Sequence, residues 1–165
     1  MSRVTELLNQ IEQWVERYNP AEYHKIDLAP GLSIEQIQSY LKGSPYTLPT
    51  EIVELYQWHD GCSFGSLFPS PEGMYDEQEF HSLAIGLGTG EDWEKDYCPG
   101  THLLWLFAVE GIYYWTVLPE TPQELAPIYS SSDEPDFATA SPDYPSLTAF
   151  LEENISRLEF VWKIN

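Results

Sequence analysis

His59, Asp60 and Cys62 stand within four residues of one another at the end of LPTEIVELYQWHDGC, Leu48 to Cys62. A histidine beside a thiol, with a carboxylate to orient it, is the residue set of an activated nucleophile. Such a thiol needs electropositive surroundings to lower its pKa. This neighbourhood is acidic and has no lysine or arginine. A structural role follows: Trp58 and His59 close a helix, with the imidazole at its negative end, and Asp60-Gly61 makes the turn. Two metal-ligand groupings occur, Cys98 with His102, and Glu77 and Glu79 with His81. A structural zinc site takes about four ligands, usually as two close pairs, and here each grouping stands alone. The acidic stretches lack the ordered spacing and the glycine of a calcium loop. GLGTG, Gly86 to Gly90, has the look of a phosphate cradle, but Glu91, Asp92, Glu94 and Asp96 follow at once and would repel a phosphate. Paired carboxylates are too frequent to single out a glycosidase pair. The reading is therefore of no catalytic residues, no metal and no cofactor.

The acids that defeat these chemistries are themselves the strongest signal. The chain carries 27 Asp and Glu against 7 Lys and Arg, a net charge of −20. Between Gly43 and Ser156 there are 20 acidic residues and one basic residue, Lys95. Such a surface repels nucleic acid and anionic lipid, and it attracts a basic protein. The two cysteines are too few for a disulfide framework and are expected as free, buried thiols.

The 165 residues suit one domain, 1–165, and 15% aromatic content argues for a packed core. No apolar run approaches the ~18 residues of a membrane span, and the amino terminus lacks the pattern of a secretory signal, so the expected location is cytoplasmic. Val4, Leu7, Leu8, Ile11, Val15 and Tyr18 recur at helical spacing up to Asn19-Pro20. Glu22 to Gly31 reads as a loop. Ser33 and Gln36 form a capping box for a helix with Ile34, Ile37, Tyr40 and Leu41 on its apolar face. Pro49 opens a third helix, Glu51 favours its positive end, and Ile52, Leu55, Tyr56 and His59 fall on one stripe before Gly61 ends it.

After Gly61 the periodicity changes. A short strand is expected near Ser66 to Phe68, an acidic loop over Glu72 to Glu79, and either strand or helix over FHSLAIGLG. GTGEDWEKDYCPG reads as irregular. HLLWLFAVEGIYYWTVL places two apolar, aromatic runs around Glu110-Gly111 and predicts a central β-hairpin. Its strands are apolar on both faces, so helices should cover one face, and loops or a partner the other. Leu125 to Ser132 reads as a candidate further strand, and a last helix begins at Ser146, with Leu147, Phe150, Leu151, Ile155 and Leu158 on one face. EFVWKIN could continue it or add an edge strand. The order predicts an α+β fold: an antiparallel sheet with helices packed on it, N-terminal helices, then strands, then a C-terminal helix.

These residues also carry a resemblance. Leu48-Pro49, Ile52, Leu55, Tyr56 and Trp58-His59-Asp60-Gly61 resemble the signature of the SUKH superfamily, an LP, a short helix with an aromatic residue, and a closing HDG or HNG turn. SIEQIQSYLKG resembles the preceding helix of that family, with Gln38 and Ser39 where a Glu is frequent. Ser146, Leu147, Phe150 and Leu151 resemble its closing helix. The likeness runs from Ile34 to Ile155, with Phe68 to Cys98 unaligned. It implies an α+β domain without a catalytic constellation, in a superfamily whose bacterial members are commonly immunity proteins against toxins, many of them nucleases. Other members are protein-interaction modules. No functional residue carries over. Leu48, Pro49, Tyr56, Trp58 and Gly61 do so as fold positions only.

The expectation is thus a non-catalytic protein-binding domain, an immunity protein neutralising a basic, nuclease-type toxin through an acidic surface. A regulatory or scaffold module with another protein partner is the alternative. Composition selects Glu72, Tyr75, Asp76, Glu77 and Glu79, and Glu91, Asp92, Trp93, Glu94, Asp96 and Tyr97, as the partner-binding residues: carboxylates for steering, aromatics for anchoring.

Overall fold

A computed structural model describes residues 1–18, 20–24, 26–62, 79–109, 111–131 and 140–163. The amphipathic amino-terminal segment is helix α1 (Arg3–Tyr18), and a single turn, α2 (Pro20–Tyr23), follows it. Strand β1 (Leu28–Pro30) leads to α3 (Ile34–Tyr40) and α4 (Thr50–Trp58), which runs directly into β2 (His59–Cys62). Then come β3 (Glu79–Phe80), α5 (Leu83–Tyr97), the hairpin β4 (Leu103–Val109) and β5 (Ile112–Val117), β6 (Tyr129–Ser131) and α6 (Leu147–Lys163). The six strands form one antiparallel sheet in sequential order, each paired with its chain neighbours. The α+β class stands as expected, with α5 inserted among the strands.

The hairpin forms the middle of this sheet. Trp105 pairs with Trp115 and Val109 with Ile112, and Gly111 takes a positive φ at the turn. Its side chains alternate between two interiors. Leu104, Leu106, Phe107 and Tyr114 enter the main core with Leu7, Leu8 and Ile11 of α1, Ile52, Leu55 and Tyr56 of α4, and Phe150 and Leu151 of α6. Leu103, Trp105 and Trp115 instead join Cys98 in a smaller cluster, against which Trp93, Val117 and Tyr129 pack.

Three sequence expectations are corrected here, and two that stood open are decided. Of FHSLAIGLG, left open between strand and helix, Phe80 belongs to β3 and Leu83 onward to α5, and the stretch GTGEDWEKDYCPG, read as irregular, continues that helix as far as Tyr97. Gly86, Gly88 and Gly90 lower its local propensity by about 1 kcal/mol each relative to alanine, which hides the helix from a propensity reading. Glu22 to Gly31, read as a loop, holds the turn α2 and strand β1, the latter too short to show alternation. Helix α4 ends at Trp58, not at Gly61, and His59 is already extended backbone. Finally, EFVWK continues α6 as helix to Lys163. The strand expected at Ser66 to Phe68 lies outside the described residues. The capping box holds in full: Ser33 Oγ accepts from Gln36 N–H at 3.1 Å and Gln36 Oε1 from Ser33 N–H at 2.8 Å.

The residues Trp58-His59-Asp60-Gly61 tie four elements together. Trp58 Nε1 donates to Asn9 Oδ1 of α1 at 2.9 Å. His59 Nδ1 donates to the Ala29 carbonyl of β1 at 2.7 Å. Asp60 Oδ1 accepts from the Leu83 N–H at 2.8 Å and so caps α5, alongside the Ser82 hydroxyl on Ile85 N–H. Each cap of this kind contributes about 1 kcal/mol. Gly61, at φ +83°, lies against the β3–α5 junction, and a Cβ there would come within 2.5 Å of Ser82 N. Tyr56, just upstream, is wholly buried and donates its hydroxyl to the His81 carbonyl, and burial pushes its phenol far above the usual range. His59 thus binds a backbone carbonyl through Nδ1, and Cys62 packs against the main core.

Candidate functional site

Helix α5 carries six of the eleven residues selected from sequence, and its position follows from two glycines. Gly86 and Gly90 are four apart, hence on one face of the helix. A Cβ at Gly90 would collide with the Leu103 carbonyl oxygen, and one at Gly86 with that of Trp105. The helix therefore lies directly on the β4 backbone, along the part of β4 that two-residue β3, paired only to Phe107 and Ala108, leaves uncovered. The stripe that imitates a phosphate cradle is a close-packing surface.

With that face fixed, the 3.6-residue period distributes the acids on two flanks. Asp92 and Asp96 project to one side. Glu91 and Glu94 project to the other, where they line a cleft between α3, α5 and the start of β4. Trp93 and Tyr97 follow the glycine face toward the aromatic cluster. The Trp93 ring is half-buried, 4.7 Å from Tyr97 and 5.4 Å from Trp105, so it builds the fold as much as it offers a contact. Tyr97 is 52% exposed. Glu79 is exposed on β3, with its carboxylate 3.6 Å from His81 Nδ1. Burial lowers the His81 pKa, and the charge of Glu79 works against that. Glu72, Tyr75, Asp76 and Glu77 lie outside the described residues. The segment from Glu91 to Asp96, expected as a loop, is helix.

The cleft measures about 520 Å³. In it stands a constellation that sequence reasoning passed over. Glu94 Oε2 lies 2.9 Å from His102 Nδ1. A carboxylate only accepts, so Nδ1 carries the proton and, in the neutral ring, Nε2 is the acceptor. The ring of Tyr46 lies against His102, with centroids 3.4 Å apart and the planes tilted by 31°. Burial, then the charges of Glu120 and Glu94, push the Tyr46 phenol above its ordinary range. Lys95 reaches Glu91 at 3.3 Å across one helical turn. No local signal joins Glu94 to His102 and Tyr46, because three separate segments supply them. The sequence singles out His102 beside Cys98 as a metal-ligand grouping, not as a partner of Glu94.

His102 and Cys98, paired on paper as metal ligands, make separate contacts. The Cys98 thiol faces the carbonyls of Trp93 and Thr101, each at 3.8 Å. Among the described residues no three His, Cys, Asp or Glu side chains converge on a common point that could hold a metal ion. Burial, and secondarily the charge of Glu94, raises the Cys98 thiol pKa. Less thiolate is then present near neutral pH, so Cys98 should alkylate with iodoacetamide more slowly in the native protein than in urea. The native rate should climb as pH rises beyond the ordinary thiol range, which mass spectrometry of the modified peptide would read. Equal native and unfolded rates near pH 8 would contradict this.

No described helix is long and apolar enough to cross a membrane. No protein-family model matches the chain, and no curated protein matches it.

Proposed function

We propose that this chain is a non-catalytic protein-binding domain, an immunity protein that neutralises a basic, nuclease-type toxin in the cytoplasm. The observation that carries the reading is α5. Four carboxylates and an exposed tyrosine stand on one rigid helix whose single basic residue, Lys95, is paired to Glu91. A nuclease must hold phosphates, so its active face is basic, and an array of fixed carboxylates can occupy that face in place of the nucleic acid. The resemblance of Leu48-Pro49 to Gly61 and of Ser146 to Leu151 to the SUKH superfamily supports the same class.

Affinity purification at low salt followed by mass spectrometry tests it. The expected catch is a basic protein, of pI above about 9, whose retention falls steeply as salt rises. A partner retained equally at high salt would favour the regulatory or scaffold role. No protein partner, together with a co-purifying metabolite or metal, would overturn the reading.

A further inference from the structure

We propose that the cleft between α3 and α5 receives an arginine side chain of the protein partner, with Glu94 as its primary acceptor. The inference rests on the protein-binding reading and names the chemistry of one contact within it.

Glu94 is a preorganised anion. Its side chain is only 16% exposed, and His102 Nδ1 holds Oε2 at 2.9 Å. Among the described residues Oε1 has no hydrogen-bond partner, and Oε2 keeps a second lone pair, so a forked donor can still engage both oxygens. His102 in turn lies against the tilted Tyr46 ring, so the acceptor does not have to be ordered on binding. The walls suit the rest of an arginine. Leu41, Leu87 and Leu118 can lie along the aliphatic stem, and Tyr40, 44% exposed at the rim, offers a ring face to the planar cation. The volume falls within the range of about 300–1,000 Å³ usual for small-ligand sites.

Glu91 adds a second carboxylate, and here Lys95 acts as a placeholder. It is 66% exposed and bonds Glu91 at 3.3 Å, so it can swing into solvent when a better cation arrives. An ammonium would meet the same charges, but only a guanidinium combines the fork that matches a carboxylate with a flat surface that stacks on tyrosine. The charge balance also selects the sign of the ligand. Two carboxylates, Glu91 and Glu94, face one amine, Lys95, in the cleft, and Glu120 lies close enough to act on the same Tyr46 ring.

The test uses the full chain, labelled with ¹⁵N and ¹³C, and N-acetyl-arginine N-methylamide as probe. The neutral, isosteric citrulline analogue is the control. The arginine probe should give saturable NMR shifts at the His102 ring, the Tyr46 ring and the Leu87 methyls, and the citrulline probe should not. Glu94→Gln should weaken the arginine probe by about five-fold, and Lys95→Ala, which frees Glu91, should tighten it by about two-fold. The first variant retains a carbonyl oxygen for His102 and the second changes an exposed side chain, so both should fold. Equal shifts with citrulline, unsaturable shifts spread over the acidic surface, or no response to either variant would overturn the proposal. The probe is a single residue, so this outcome is separate from partner capture: a captured basic protein with no arginine site would leave the protein-binding reading intact and remove this inference alone.

Discussion

Glu51→Ala should lower stability by on the order of 3–5 kcal/mol, the largest effect expected of any single change away from the apolar core. Glu51 is 5% exposed and belongs to the first turn of α4. Its carboxylate does not serve that turn alone. Oε2 accepts from Ala126 N–H at 2.8 Å and Leu147 N–H at 3.0 Å, and Oε1 accepts from Thr148 N–H at 3.1 Å and Thr148 Oγ1 at 2.6 Å. One anion thus satisfies the opening amides of α6 and a loop amide, at the positive end of the α6 dipole. Alanine leaves those donors buried and unpaired. Glutamine keeps the shape but loses the charge and turns an amide NH₂ toward donors, so an intermediate loss of about 2 kcal/mol is expected. Urea unfolding with a common m-value would measure both. A loss under about 1 kcal/mol for alanine would mean that water replaces the carboxylate without difficulty.

Gly90→Ala should be nearly as damaging, about 2–4 kcal/mol, and Gly88→Ala on the same helix should be neutral or stabilising by up to about 1 kcal/mol. The two differ only in what lies beyond the missing Cβ. At Gly90 it is the Leu103 carbonyl, part of the backbone of a central strand that cannot move aside. At Gly88 there is open space. To accept a methyl at Gly90, α5 must lift from β4, which also draws Glu94 away from His102. The variant should therefore show a shifted His102 ring signal as well as a lower urea midpoint. Equal behaviour of the two alanines would refute the close contact between α5 and β4.

The contrast between these helices also explains what could be read in advance. α1 and α6 have apolar residues at regular helical intervals, and the Ser33–Gln36 cap and the turn at Gly111 are local devices, so all four are legible over a few residues. α5 is not, because three glycines suppress its propensity and its reason for being helical is a strand that follows it in the chain. Trp58-His59-Asp60-Gly61 could be assigned to architecture from its acidic surroundings. That Asp60 caps α5, and that Glu51 caps α6, could not, since each acts on a distant segment. The candidate site divides in the same way. Composition located the acids of α5, but the separation of Asp92 and Asp96 from Glu91 and Glu94 depends on which face rests on the sheet. The Glu94–His102–Tyr46 arrangement depends on the fold as a whole.

On the function proposed above, charge on α5 guides a basic partner to this domain. The most direct measurement is the association rate of the captured partner with the native protein, with Asp92→Lys/Asp96→Lys, and with the control Glu35→Lys on exposed α3, at low and at high salt. The α5 reversal should slow association by about ten-fold or more at low salt, the difference should shrink as salt rises, and the α3 control should change little. Equal rates for all three proteins at low salt would contradict it.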